Sequence, residues 1–170
     1  VLVGTLFLVG MMGAGKSTVG PLVADLLGLP FVDLDVQVCA AAGQSIPEIW
    51  AGEGEPGFRA REAGALAAVA GRAAVVACGG GVVLDPGNVA LMRREGGVVW
   101  LEAPADVLAK RIGDGAGRPV LAGQGAASPG MVLAGRAPAY AAAAHRRVPT
   151  AGRSPREVAA EVVQWWSKFE

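Results

Sequence analysis

"GMMGAGKST", residues 10–18, decides the fold. Gly10, four residues, Gly15, Lys16 and Ser17 satisfy G-x-x-x-x-G-K-[ST], a loop built to wrap a polyphosphate. Its neighbours supply the right context. "LFLVG" at 6–10 is a short apolar run that reads as a buried strand, and residues 16–28 read as a helix closed by Gly28. Glycines let main chain approach phosphate oxygens that a side chain would block. The exposed amides and the helix N-terminus add positive potential. Lys16 is expected to bridge the outer phosphates of a nucleoside triphosphate, most simply ATP, and Ser17 to hold Mg²⁺. An ordinary glycine-rich turn is the plainer reading. The full motif between strand and helix outweighs it.

Working outward, short apolar runs alternate with helical patterns. Strands are expected at "FVDLD" (31–35), "AAVVAC" (73–78), "GVVWLE" (97–102) and, weakly, at 146–149. Helices are expected at about 45–51, 57–70, 87–95, 104–112 and 128–143. The last helix has the clearest start: Ser154, Pro155 and Glu157 form a capping box with proline at the first helical position. Val158, Val162 and Trp165 or Trp166 should face the sheet. Alternating strands and helices argue for a parallel sheet covered on both faces. No repeat or linker divides the 170 residues, so one domain over 1–170 is expected.

Composition narrows the function. The longest uncharged stretch, 119–135, is interrupted by glycine, proline, glutamine and serine, so no membrane span is expected. "VLVGTLFLVG" has no basic n-region and no cleavage site, so no signal peptide is expected either. Formal net charge is zero and no basic run occurs, which disfavours a nucleic-acid partner. Cys39 and Cys78 form no metal-type spacing and suit reduced core thiols in a cytoplasmic protein. The single histidine, His145, lacks a partner pattern and is expected to have no catalytic role.

The charged residues suggest where the phosphate goes. No N-K-x-D base-reading motif is present, so a small GTPase is disfavoured, and a motor would normally be larger. Asp33 and Asp35, two apart on an expected strand, would leave the same face at its carboxyl end. One could sit near Mg²⁺ and the other near an acceptor hydroxyl. In "GFRARE", Arg59 and Glu62 are spaced to pair on a helix. "GGG" at 79–81 allows close approach of a ligand to main chain. Arg118 lies in a glycine-rich stretch expected to form a mobile lid at about 113–126, and Arg136 precedes "APAY". An arginine on a lid can neutralise charge on a transferring phosphoryl group, and a lid keeps water out. The pattern suits a kinase whose acceptor carries hydroxyls and a carboxylate.

With those residues in place, the chain resembles the shikimate kinases. The resemblance rests on "GMMGAGKSTVG", "FVDLD", "SIPEIW…GE…FRARE", "CGGGVV", "WLEAP", "GRPVL" and "RAPAY", in that order. It implies a three-layer α/β/α fold of the P-loop NTPase type, with a five-stranded parallel sheet of strand order 2-3-1-4-5. It implies a substrate-binding helical segment at about 36–62 and transfer of the ATP γ-phosphate to the 3-hydroxyl of shikimate. Lys16, Asp35 and Arg118 would be catalytic, Asp35 orienting and deprotonating the hydroxyl. Gly13, Ala14, Gly15, Lys16, Ser17, Thr18, Arg111, Arg118 and Arg153 would bind ATP. Asp35, Arg59, Gly79, Gly80, Gly81 and Arg136 would bind shikimate. Ser17 and Asp33 would hold Mg²⁺. A monomer is implied.

Two rivals stand beside this reading: another small-metabolite kinase of the same fold, such as a gluconate kinase, and a nucleotide-binding protein without catalysis. Two residues depart from the expected pattern. Pro21 stands where the family usually has arginine, and an interior helical proline costs about 3 kcal/mol, so a kink or a shortened helix is expected. Pro149 weakens the last strand, which must then be an edge or very short.

Overall fold

β1 (Thr5–Val9) is buried along its whole length. A strand buried on both faces has to be covered on both, and the chain does this by alternating strands with helices. The computed structural model describes residues 4–113 and 128–169. After β1 come α1 (Lys16–Leu27), β2 (Phe31–Asp33), α2 (Leu34–Ala42), α3 (Ile46–Val69), β3 (Ala74–Ala77) and a 3-10 turn (Val82–Leu84). They are followed by α4 (Pro86–Glu95), β4 (Gly96–Glu102), α5 (Ala105–Ile112), α6 (Pro129–Ala143), β5 (Arg146–Pro149) and α7 (Pro155–Trp166). The five strands form one parallel sheet in the order β2-β3-β1-β4-β5. In register, Phe7 of β1 lies between Val76 of β3 and Val98 of β4. The expected sheet, its order and its flanking helices are therefore present.

Helix α7 packs against α1, and its buried face is Val158, Ala159, Val162 and Trp166. Its capping box forms as expected. Of the two tryptophans, Trp166 is the one in the core. Its ring shares the space left at Gly97 of β4 with Trp165 and Phe169: a Cβ there would come within 2.6 Å of Trp166, 2.9 Å of Trp165 and 3.1 Å of Phe169. A smaller apolar cluster, Val38, Ile49 and Phe58 with Trp50 beside them, lies between α2 and α3, apart from the main core. Strand β5 is an edge: it pairs only with β4, and Pro149 is its last residue, as expected.

Four local expectations change. "FVDLD" does not continue as a strand to Asp35. The Asp33 carboxylate accepts the amides of Asp35 and Val36, which caps a helix, and α2 starts at Leu34. The two expected helices at 45–51 and 57–70 are two arms of α3, joined at Gly54 with φ 68°. Pro21 does not interrupt α1, which runs from Lys16 to Leu27 through it. Cys78 is a core thiol as expected, whereas Cys39 on α2 is only half-buried.

His145 has a structural place. Its Nδ1 accepts the Val98 amide at 3.0 Å and its ring meets Phe169. Trp166→Ala should cost about 3–5 kcal/mol, because Gly97 has no side chain to fill the cavity. At roughly 2–4 °C per kcal/mol, the midpoint falls by about 6–20 °C. Trp165→Ala should cost clearly less. Thermal melts of the two variants check this, and equal losses would contradict the packing described.

Candidate active site

The P-loop, residues 10–18, leaves the carboxyl end of β1 at the centre of the sheet. Strand connections run outward in both directions from there, the position where open parallel sheets bind ligands. Gly13 and Gly15 have φ of 82° and 102°, which a side chain would resist. Gly15 is also the residue from which α1 starts, so the loop amides and the helix N-terminus face one cleft. That cleft has a volume of about 560 Å³.

Most of the expected residues come together in it. Residues 13–18, Asp33, Asp35, Gly79, Gly80, Arg111 and Arg153 all line the cleft. The route by which Asp33 and Asp35 arrive differs from the expectation. They do not share a strand face: Asp33 ends β2 and Asp35 sits in the first turn of α2. The helix cap bends the chain, and both carboxylates still line the cleft. Ser17 Oγ donates to Asp33 Oδ2 at 2.9 Å. Arg118 and nearly all of the expected lid lie outside the described residues.

At the nucleotide end, Lys16 Nζ donates to the carbonyls of Gly10 at 2.6 Å and Met11 at 2.9 Å. Arg111 donates to Gly13 O at 3.2 Å and Thr150 Oγ1 at 3.0 Å, so it ties the phosphate loop to the chain just past β5. Arg153 donates to Pro149 O at 3.0 Å and pairs with Glu161 at 2.8 Å. Both arginines thus face the cleft while anchored to protein.

At the other end, three glycines meet the charged side chains. A Cβ on Gly79 would come within 2.2 Å of Glu62 Oε2 and 3.2 Å of Asp35 Oδ1. One on Gly80 would lie 3.0 Å from an Arg136 guanidinium nitrogen, and one on Gly81 2.3 Å from Arg59. Arg59 and Arg136, which do not line the main cleft, thus stand against the same turn as Asp35. Arg136 is only 6% exposed. Arg59 is braced by Glu62 at 2.8 Å and Glu55 at 3.3 Å.

Glu62 is the group the sequence undervalued. A surface ion pair was the plain reading of its spacing from Arg59. It is 1% exposed, and its Oε2 has no hydrogen-bond partner among the described residues. Burial raises its pKa, while the Arg59 charge opposes that. Tyr140 and Thr150 also belong to the site; "RAPAY" contains Tyr140 without assigning it a role, and no local pattern marks Thr150.

Burial pulls the Lys16 ammonium from 10.5 down to about 8, against the pull of Asp35 and Asp33. A bound polyphosphate favours the charged form and restores the higher value. Between those values the free protein carries less than a full proton on Lys16, and the complex carries more. Triphosphate affinity should therefore fall as pH rises through about 8. Binding of a non-hydrolysable ATP analogue at pH 9 should take up protons. Calorimetry in buffers of different ionisation enthalpy measures this, and zero uptake would separate Lys16 from the phosphates.

The likeness to known proteins agrees with this arrangement. A family model described as shikimate kinase matches residues 12–167. A shikimate kinase of Symbiobacterium thermophilum is 47% identical over 161 residues, covering 92% of each chain. One from Halorhodospira halophila is 45% identical, covering 94% of this chain and 91% of its own. Among solved structures, a shikimate kinase from Acinetobacter baumannii in complex with shikimate superposes with a TM-score of 0.91 at 34% identity, over 98% of this chain and 94% of that one. A gluconokinase from Sinorhizobium meliloti reaches a TM-score of 0.55 at 18% identity, a likeness of fold alone.

Proposed function

The chain belongs to the shikimate kinase family, and on that premise we propose how its cleft moves a phosphoryl group from ATP to the 3-hydroxyl of shikimate, giving shikimate 3-phosphate and ADP. The observation that carries the reading is the meeting of a phosphate loop, a carboxylate and two arginines around one glycine turn.

Residues 13–18 hold the triphosphate through main-chain amides, with Lys16 on the outer phosphates. Arg111 and Arg153 flank the adenine, their guanidiniums already held in place by Thr150, Gly13 and Glu161. Arg59 and Arg136 grip the acceptor carboxylate. Asp35, at the mouth of α2, orients the hydroxyl and takes its proton as the oxygen attacks the γ-phosphorus. Arg118, outside the described residues, completes the charge stabilisation. Segment 36–62, which spans most of α2, the first arm of α3 and the start of its second arm, closes the acceptor side.

Ser17 and Asp33 suit Mg²⁺. They offer a hydroxyl and a carboxylate oxygen 2.9 Å apart beside the phosphate loop, and this ion uses one or two protein ligands when phosphates supply others. When bound, it neutralises charge on the phosphate oxygens.

We take the working unit to be a cytoplasmic monomer without nucleic-acid partners. Among the described residues, the exposed large apolar side chains Leu26, Val36, Leu84 and Met131 sit on four different elements, which supports a monomer. The free thiols of Cys39 and Cys78 suit a reducing compartment. No helix of the described residues is long and apolar enough to cross a membrane.

ADP release with Mg·ATP should depend on shikimate and stay at background with gluconate or no acceptor. Release with gluconate alone would keep the fold and replace the acceptor. Asp35→Asn should lower kcat by roughly 10²-fold or more and leave ATP binding nearly intact. Wild-type kcat in that variant would remove Asp35 as the base. Arg136→Ala takes away one member of a buried charge pairing, a loss of about 2–5 kcal/mol. The KM for shikimate should rise more than tenfold, and an unchanged KM would exclude Arg136 from the pocket.

A further inference from the structure

The turn at 79–81 seats three charged groups yet has no side chain to hold itself. Its main-chain bonds are few: Cys78 N donates to Leu8 O at 3.0 Å, Val82 N to Gly79 O at 3.1 Å and Leu84 N to Gly81 O at 3.1 Å. Two buried polar side chains grip it from outside. Asn88 Nδ2 donates to Val82 O at 3.1 Å, just past the turn. The Tyr140 hydroxyl donates to the carbonyl of Gly80 itself.

Tyr140 is fully buried, with its ring packed against Trp100 at 5.5 Å between centroids. Burial pushes the phenol up to about 12, so it keeps its proton at working pH. It lies four residues after Arg136 on α6, which places both on one face of the helix. Gly80 touches both, through its carbonyl to Tyr140 and through its missing Cβ to Arg136. The Tyr140 hydroxyl is therefore the contact that holds the Gly80 peptide itself against Arg136.

We propose that Tyr140 is a positioning residue for the acceptor: its hydroxyl sets the Gly80 peptide against Arg136, so that removing that one oxygen weakens shikimate binding and spares nucleotide binding. This rests on the reading of the turn and Arg136 as the acceptor's seat. Tyr140 touches no reacting atom and acts through the Gly80 main chain and through the Arg136 guanidinium beside its hydroxyl.

The test is Tyr140→Phe, which keeps the ring and its packing on Trp100. KM for shikimate should rise about three- to tenfold, the scale of one neutral hydrogen bond, and KM for ATP should stay within about twofold. Peptides spanning 78–84 should exchange amide hydrogens faster than in the wild type. Val162→Ala, in the core face of α7, serves as a control that loses stability without a shift in either KM. An unchanged KM for shikimate overturns the proposal, and so does a parallel rise in both KM values. A Tyr140→Phe protein that fails to fold also overturns it, since the hydroxyl would then serve the whole fold. If the wild type leaves shikimate untouched, the functional reading falls instead and the exchange measurement decides alone. Faster exchange at 78–84 then supports the clamp, and unchanged exchange overturns it.

Discussion

The acceptor half of the cleft depends on packing charged side chains against main chain that carries none. Glu62, Arg136 and Arg59 each occupy the volume that a Cβ would take at Gly79, Gly80 and Gly81. Glycine here serves close approach. The turn ends β3 in the middle of the sheet, so its position is inherited from the most buried strands. Charged groups leaning on it are therefore placed by the core.

That arrangement concentrates ionisable groups where water is scarce. Burial costs an ion far more than a surface pair returns, so each charge needs a partner near it. Arg59 lies between a buried and an exposed glutamate. Lys16 turns to two carbonyls of its own loop, and burial still lowers its pKa to about 8. Glu62 is left with one oxygen that has no hydrogen-bond partner among the described residues. Such strain on charge is common where ligands bind, because a ligand can relieve it.

The two ends of the cleft are tied to the scaffold differently. Arg111 and Thr150 fasten the phosphate loop to the exit of the edge strand β5. Tyr140 and Asn88 fasten the glycine turn to α6 and α4. Neither Thr150 nor Asn88 was marked in the sequence, and Tyr140 entered only as the last letter of "RAPAY", since each acts through a contact between distant parts of the chain. Arg111 was expected to flank adenine; its bonds to Gly13 and Thr150 add a bracing role that no spacing encodes.

Local pattern carried much of the fold. Gly10, Gly15, Lys16 and Ser17 marked the loop because phosphate wrapping demands those residue types at fixed intervals. Apolar runs marked the strands, and Ser154, Pro155 and Glu157 marked the start of α7, because capping is a bond between residues three apart. Resemblance to a family, more than periodicity, supplied the strand order. Where local signals competed, the sequence alone misled. Asp33 and Asp35 alternate as a strand would, yet the Asp33 carboxylate captures two amides and turns the chain into a helix. Pro21 threatened α1, yet the helix, packed against α7, runs through it unbroken. Burial was the quantity that no spacing could reveal. Only the tertiary structure made Glu62 a core carboxylate, chose Trp166 over Trp165, and brought Tyr140 to the Gly80 carbonyl, because each of those depends on what another part of the chain places beside it.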